Sequence, residues 1–279
     1  MLKFLRKKIG IIGYGNMGAA IAEGIKDRYR VITFDKDSSK LKCLSGISAA
    51  KSASGVVDRS DLVLLAVKPQ EFGVLLNEIK GCLKDKLVIS IAAGITTSYI
   101  EGCLGQARVV RIMPNIGVKI GRAESVLCKG KYAAKKDIDL AKRIFDLLGK
   151  TWIIEEDMFD SATAISGSGP AYIYYDMEAR KIDPLRLPKE KEIEYARSLS
   201  EAARRVGFDL EFADELSAAV TASAISLTLR TAISPVELRR QITSKGGTTE
   251  AAVKILAEGG SWAEAAVAAK ERAKQLSGG

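Results

Sequence analysis

The chain has 279 residues, 47% hydrophobic and 28% charged, which describes a soluble globular protein long enough for two domains. Its net charge of +9 comes from scattered lysines and arginines with no aromatic interleaving, so no nucleic-acid partner is expected. It contains no histidine, which excludes Ser-His-Asp triads, histidine-based zinc sites and imidazole proton shuttles.

The start, Met1-Leu2-Lys3-Phe4-Leu5-Arg6-Lys7-Lys8, is basic like the head of an export signal. The apolar stretch after it is broken by Gly10, Gly13, Gly15 and Gly18, so it reads as a strand entering a helix. Lys8–Ile12 is a buried-type strand, and a helix follows from about Met17. Arg30–Phe34 is a second strand. Leu62–Val67, Leu87–Ile91 and Val109–Ile112 repeat the pattern, with helical segments between them. Such alternation predicts parallel β-α-β units. Strands near Ser125–Cys128 and Trp152–Glu155 flank a helix over Lys136–Leu148.

After about Glu156 the strand signal stops. Glu201–Val206, Ala213–Leu229, Glu250–Ala257 and Trp262–Leu276 are alanine-rich and helix-periodic. The expected division is therefore residues 1–156 as a dinucleotide-binding domain and 157–279 as a helical domain for substrate and oligomerisation. Arg180–Arg197, with Pro184, Pro188 and the run Lys189-Glu190-Lys191-Glu192, reads as a solvated excursion and not as a core helix. No run approaches about 18 uninterrupted apolar residues, so no membrane span is expected. Cys43, Cys82, Cys103 and Cys128 lack metal or redox spacing and suit reduced thiols in the cytoplasm. No metal site is expected.

The motif Gly13-x-Gly15-x-x-Gly18 lies between a buried strand and a helix. The first glycine permits the tight turn, the second admits a pyrophosphate, and the third lets helix and strand pack closely. Asn16 and Met17 open the helix, whose N–H groups and dipole favour phosphate. Asp35 ends the second strand, where an acid can hydrogen-bond the adenine ribose. A ligand-free glycine turn is the bland alternative. Asp35 favours NADH over NADPH, and Lys36 beside it works against that preference. Ala66-Val67-Lys68-Pro69 and Ala92-Ala93-Gly94 are expected at the carboxyl edge of the sheet, where such folds bind ligands.

A second pattern lies near the far end. Thr243-Ser244-Lys245-Gly246-Gly247-Thr248-Thr249 precedes a helix. It can be an ordinary capped helix start or a cradle for a small carboxylate. Ser166-Gly167-Ser168-Gly169-Pro170 reads as another turn, with Pro170 opening a helix.

Together these segments resemble pyrroline-5-carboxylate reductases. The resemblance rests on Gly13–Met17, Ala66–Pro69, Met113-Pro114-Asn115, Ser166–Tyr172 and, most specifically, Pro235–Ala252. It runs in order over nearly the whole chain. It implies a Rossmann-type domain, a helical domain that builds dimers or larger rings, and NAD(P)H-dependent reduction of 1-pyrroline-5-carboxylate to L-proline. It also implies that Ser244, Gly246, Gly247, Thr248 and Thr249 hold the substrate carboxylate. Thr249 would lie near the ring nitrogen, and Asn115 would belong to the cofactor site. A cyclic imine can bind already protonated, so hydride transfer needs no histidine, and the protein's work is positioning.

Three departures stand out. Ala53 occupies a position where relatives carry a cofactor-contacting asparagine. Ile116 and Gly117 replace the family's Thr-Pro. About 18 residues between Tyr175 and Ser198 are additional, in a region that forms oligomers. Two alternatives fit parts of the pattern: a β-hydroxyacid dehydrogenase, against which the Gly-Gly-Thr-Thr loop argues, and a nucleotide-binding relative without catalysis.

Overall fold

Short apolar runs become strands here because both faces of each are covered. Leu62–Leu65 and Leu87–Ser90 are buried at every residue, as strands of a parallel sheet covered on both faces are. The structure is a computed structural model that describes residues 6–277. Met1–Leu5, part of the basic start compared above with the head of an export signal, lies outside the described residues.

The strands are β1 (Lys8–Ile12), β2 (Arg30–Phe34), β3 (Ile47–Ala49), β4 (Leu62–Leu65), β5 (Leu87–Ser90), β6 (Val109–Met113), β7 (Ala123–Lys129) and β8 (Gly149–Ile153). They hydrogen-bond in the order β3-β2-β1-β4-β5-β6-β7-β8. The pairs β1–β2, β1–β4, β2–β3, β4–β5 and β5–β6 are parallel, with Ile9 opposite both Val31 and Leu62. The first six strands thus take the 3-2-1-4-5-6 order of a doubly wound dinucleotide fold, in which the order reverses at β1.

Five helices accompany these strands: α1 (Asn16–Ile25), α2 (Ala53–Asp58), α3 (Phe72–Ile79), α4 (Thr97–Leu104) and α5 (Lys135–Phe145). The core beneath α2, α3 and α4 gathers Val56, Val57, Phe72, Leu76, Ile79 and Ile100 against Ile12, Val63, Leu65 and Val88. After β8 the chain is helical: α6 (Phe159–Ala162), α7 (Gly169–Ala179), α8 (Lys189–Arg205), α9 (Leu210–Thr231), α10 (Pro235–Ile242), α11 (Thr248–Ala257) and α12 (Trp262–Ser277). Among the described residues no single helix is long and apolar enough to cross a membrane.

The chain divides into two compact units, and not by one cut near residue 156. The first runs to Ile112 and includes Leu127–Leu148; the second takes Met113–Val126 and everything from Gly149 on. Met113–Val126 belongs with the helices because its polar groups are anchored there. Ser223 Oγ donates to the Arg122 carbonyl at 2.5 Å, Arg122 reaches Ser226 Oγ, and Lys119 reaches Gln241 Oε1.

The charged stretch expected to be a solvated excursion is folded. Residues 189–197 are the first half of α8, and Pro184–Arg186 form a 3-10 turn before it. The acid–base mixture is helical because its charges pair at i,i+3: Lys189 with Glu192 and Lys191 with Glu194. Its inner face carries Tyr195, 1% exposed and stacked on Trp262 at 5.7 Å. Asp176 of α7 accepts hydrogen bonds from Arg180 and from the Tyr195 hydroxyl and pairs with Lys191, tying both ends of the segment together.

The segment Ser166–Pro170 is likewise not a turn between elements. A π-helical turn, Thr163–Gly167, joins α6 to α7. The Ser168 N–H donates to the Thr163 carbonyl five residues back, at 2.9 Å. Pro170 does stand in the first turn of α7, where its missing N–H costs nothing.

Candidate functional site: a dinucleotide turn and a hydroxyl cluster

In the first unit, β1 leads into Gly13, whose N–H donates to the Phe34 carbonyl at 2.8 Å. Gly13 has φ +100°, and a side chain there would strike the Ala66 carbonyl. A methyl at Gly18 would fall on the Gly13 carbonyl, so α1 packs directly on the turn. At Gly15, the extended N-cap of α1, a methyl would meet nothing within 4 Å. The turn is therefore closed on two sides by backbone and open on the third. Asn16 and Met17 supply the first N–H groups of α1, which have no intrahelical acceptor. This geometry fits a pyrophosphate on the open side.

Asp35, 8% exposed, lies just past β2. Its carboxylate accepts the Tyr14 N–H at 2.7 Å, the Asp37 N–H at 2.9 Å and the Lys40 ammonium at 3.1 Å. Burial works to raise this carboxyl. The two N–H groups and Lys40 outweigh it and hold the group below its usual range. The neighbouring cation, Lys36, pairs instead with Glu71. Sequence reading expected Lys36 to offset Asp35; the cation on its carboxylate is Lys40, brought back by the 3-10 turn Ser38–Leu41.

Ala66, Val67, Lys68 and Pro69 follow β4, with Ala66 against the turn, and Ala92 and Gly94 follow β5, so both segments stand past carboxyl ends of the sheet. Lys68 is exposed and precedes the 3-10 turn Pro69–Glu71. Ala92 is buried and Gly94 adopts φ +74°. Ala53 is 1% exposed and opens α2 with a methyl. A separate concavity of about 250 Å3 lies at the amino ends of β4 and β5. Its Arg108 is already paired with Asp137 at 2.6 Å.

Asn115 belongs to the second unit. Its Oδ1 accepts the N–H groups of Gly117 and Glu124, bracing the loop after β6, and its Nδ2 is buried without a partner among the described residues.

The second unit gathers the glycine–threonine loop. Gly246 has φ +73°, and Gly247 is the extended N-cap of α11. Two loop N–H groups are already used: Gly247 donates to the Ser244 carbonyl at 3.0 Å and Gly246 to the Glu250 carboxylate at 2.8 Å. Arg272 of α12 fixes the Gly246 carbonyl at 2.7 Å. Thr248 and Thr249 open α11, so their N–H groups point out of its first turn. Ser244 is exposed beside them.

Sequence reading missed the partner of these threonines. Ser168 Oγ lies 3.1 Å from Thr248 Oγ1 and 3.1 Å from Thr249 Oγ1. Ser168 is fully buried, Thr248 9% and Thr249 5% exposed. Two motifs that are 80 residues apart thus share one hydroxyl cluster. The only hint in the sequence was the second serine of Ser166-Gly167-Ser168.

A second missed residue is Glu124, 7% exposed, which accepts Trp152 Nε1–H at 2.7 Å. Burial pushes its carboxyl up to about 7, against the Trp152 hydrogen bond and Lys150.

A doubly wound sheet with a glycine turn at its reversal point, followed by a helical unit, defines a Rossmann-type oxidoreductase architecture. Residues 8–94 match the family model described as "NADP oxidoreductase coenzyme F420-dependent", and residues 193–276 match "Pyrroline-5-carboxylate reductase dimerisation". The chain is 33% identical over 284 residues to the pyrroline-5-carboxylate reductase of Methanosarcina acetivorans, covering 97% of this chain and 98% of that one. It also matches the solved structure of a Coxiella burnetii pyrroline-5-carboxylate reductase, with 33% identity, TM-score 0.64, and coverage of 98% and 99%. A Plasmodium falciparum pyrroline carboxylate reductase structure with NADP bound matches at 26% identity and TM-score 0.64, covering 98% and 99%. The chain belongs to the pyrroline-5-carboxylate reductase family.

Proposed function

We propose that this protein reduces 1-pyrroline-5-carboxylate to L-proline with a nicotinamide cofactor, as the last step of proline synthesis. The observation that carries the reading is the hydroxyl cluster at the start of α11, within a family whose curated members bear that activity in their names. Gly13, Gly15, Asn16 and Met17 hold the pyrophosphate. Asp35 addresses the adenine ribose, and Ala66, Val67, Lys68, Pro69, Ala92 and Gly94 line the cofactor's path. Asn115 contributes through its buried Nδ2.

The cofactor supplies a hydride to the imine carbon. The chain's residues bind and orient the substrate. The N–H groups of Thr248 and Thr249, with the Ser244 hydroxyl, hold the carboxylate at the positive end of α11. Gly246 and Gly247 act through shape, since their own N–H groups are spent within the loop. Thr249 is the catalytic residue: its hydroxyl hydrogen-bonds the ring nitrogen. The iminium nitrogen arrives protonated and becomes an amine as the carbon takes the hydride; solvent then protonates the amine. No imidazole is required, in keeping with a chain that has none.

NADH is the better cofactor on this reading, because Asp35 stays ionised and repels a 2′-phosphate, and Lys40 narrows the margin. NADPH remains a substrate. The dimerisation match supports a homodimer or larger ring, with the α7–α8 segment shaping its contacts. Four cysteines that form no disulfide among the described residues suit a cytoplasmic protein. The test is direct: purified protein, pyrroline-5-carboxylate and each reduced cofactor, followed by absorbance. Proline formation with cofactor consumption is expected. A folded sample that consumes neither cofactor sinks the reading.

A further inference from the structure

The Ser168 hydroxyl carries one proton and faces two threonine hydroxyls at equal distance. It can donate to only one of them and must accept from the other. The three oxygens therefore form a directional chain with two possible polarities. Among the described residues nothing else is bonded to Ser168 Oγ, and the side chain has no exposure to water. Its position is set by the π turn, whose i−5 hydrogen bond at Ser168 offsets it from ordinary helical phase. Such insertions shift side chains out of the regular helical register and recur at functional sites.

This bears on the reaction, and the inference rests on the function proposed above. Before hydride transfer the ring nitrogen is an iminium N–H, a donor without a lone pair. Thr249 Oγ1 must accept from it, so its own proton points to Ser168, and Ser168 donates to Thr248. After transfer the nitrogen has gained a lone pair and kept its hydrogen. Thr249 can now donate to it, which requires Ser168 to donate to Thr249 and Thr248 to donate to Ser168. No proton leaves the three oxygens, each hydroxyl keeps its hydrogen, and only the direction of donation reverses.

We propose that Ser168 is a positioning residue which lets Thr249 switch from acceptor to donor as the imine becomes an amine, with Thr248 as the end of the relay. The switch costs no ionised group and is shielded from water.

The test uses the full chain with pyrroline-5-carboxylate and the preferred reduced cofactor. Single-turnover rates are measured in mixtures of H2O and D2O for wild type, Ser168→Ala and Thr248→Val. Wild type is expected to show a solvent isotope effect with a curved proton inventory, reporting more than one moving hydroxyl proton. Ser168→Ala is expected to lose about tenfold in the hydride step, the weight of one hydrogen bond, with cofactor affinity unchanged. Its inventory should become linear. Thr248→Val, which keeps the side chain's volume, should lose the curvature even if Ser168→Ala fails to fold. A slowed Ser168→Ala with the wild-type inventory overturns the relay and leaves Ser168 a brace. A curved inventory in Thr248→Val also overturns it. Absence of turnover in wild type overturns the functional reading instead, which separates the two failures.

Discussion

The dinucleotide turn and the hydroxyl cluster are built on opposite principles. The turn works by lacking side chains: Gly13 and Gly18 allow backbone to touch backbone, and Gly15 leaves space. The cluster works by bringing side chains together from Ser168 and Thr248–Thr249. A site made of absences within six consecutive residues is written in one stretch of sequence. A site made of convergences exists only after α7 and α11 have packed.

The sharpest way to break this contrast is to fill the turn. In Gly18→Val the new side chain meets the Gly13 carbonyl, a backbone atom that cannot move aside cheaply. Loss of measurable NADH binding is expected, with destabilisation of about 1–3 kcal/mol from overpacking. Fluorescence of bound NADH and thermal melting read the two effects. Wild-type binding in this variant would mean that the turn is not the phosphate cradle.

Thr249→Ala tests the other region. On the function proposed above, removing the Thr249 hydroxyl should lower kcat on the order of 10–100-fold while NADH binding stays within error. Equal loss of turnover and cofactor affinity would make the loop structural. The comparison predicts this separation because the turn's contacts and the cluster's contacts are internal to different units.

The same division explains what the sequence could reveal. Buried parallel strands are continuous apolar runs, so seven of the eight strands are visible to within a few residues. β3 escapes because it is three residues long with only Ile47 buried. Asp35 is visible from its place after β2, but Lys40 as its partner is not, since a cation five residues away pairs only once the 3-10 turn forms. The first half of α8 was hidden by its charge. Lys189–Glu194 looks solvated, and the residues that anchor it, Lys191 and Tyr195, find Asp176 and Trp262 on other helices. The π turn was hidden by glycine and proline, which signal a turn locally and here sit inside a helical run.

Two buried carboxyls sharpen the contrast further. Asp35 is held ionised by donors; Glu124 is held protonated by burial, with its carboxyl pushed up to about 7. A carboxyl raised in the folded state adds stability that is complete below its unfolded value and lost as pH rises through about 7. Glu124→Gln removes that titration and keeps an acceptor for Trp152 Nε1. The variant should therefore melt higher than wild type at pH 8, by a few degrees, with the difference shrinking toward pH 5. A constant offset at both pH values would mean that Glu124 does not titrate in this range.

The smallest expected effect lies at Lys40, the cation paired with Asp35. The Lys40 side chain that sits on Asp35 is 41% exposed, so the pair is worth little to stability. Its consequence is for cofactor choice. With Lys40 in place the acid's field is partly cancelled, and an incoming 2′-phosphate finds an ammonium within reach. In Lys40→Ala the carboxylate is still held by the Tyr14 and Asp37 N–H groups, so its position survives while its charge is bared. The ratio of kcat/KM for NADH over NADPH should rise about two- to fivefold, mostly through weaker use of NADPH, and the rise should fade at high salt. A ratio that falls instead would mean that Lys40 serves NADH, and that the preference is set by geometry at the ribose and not by charge.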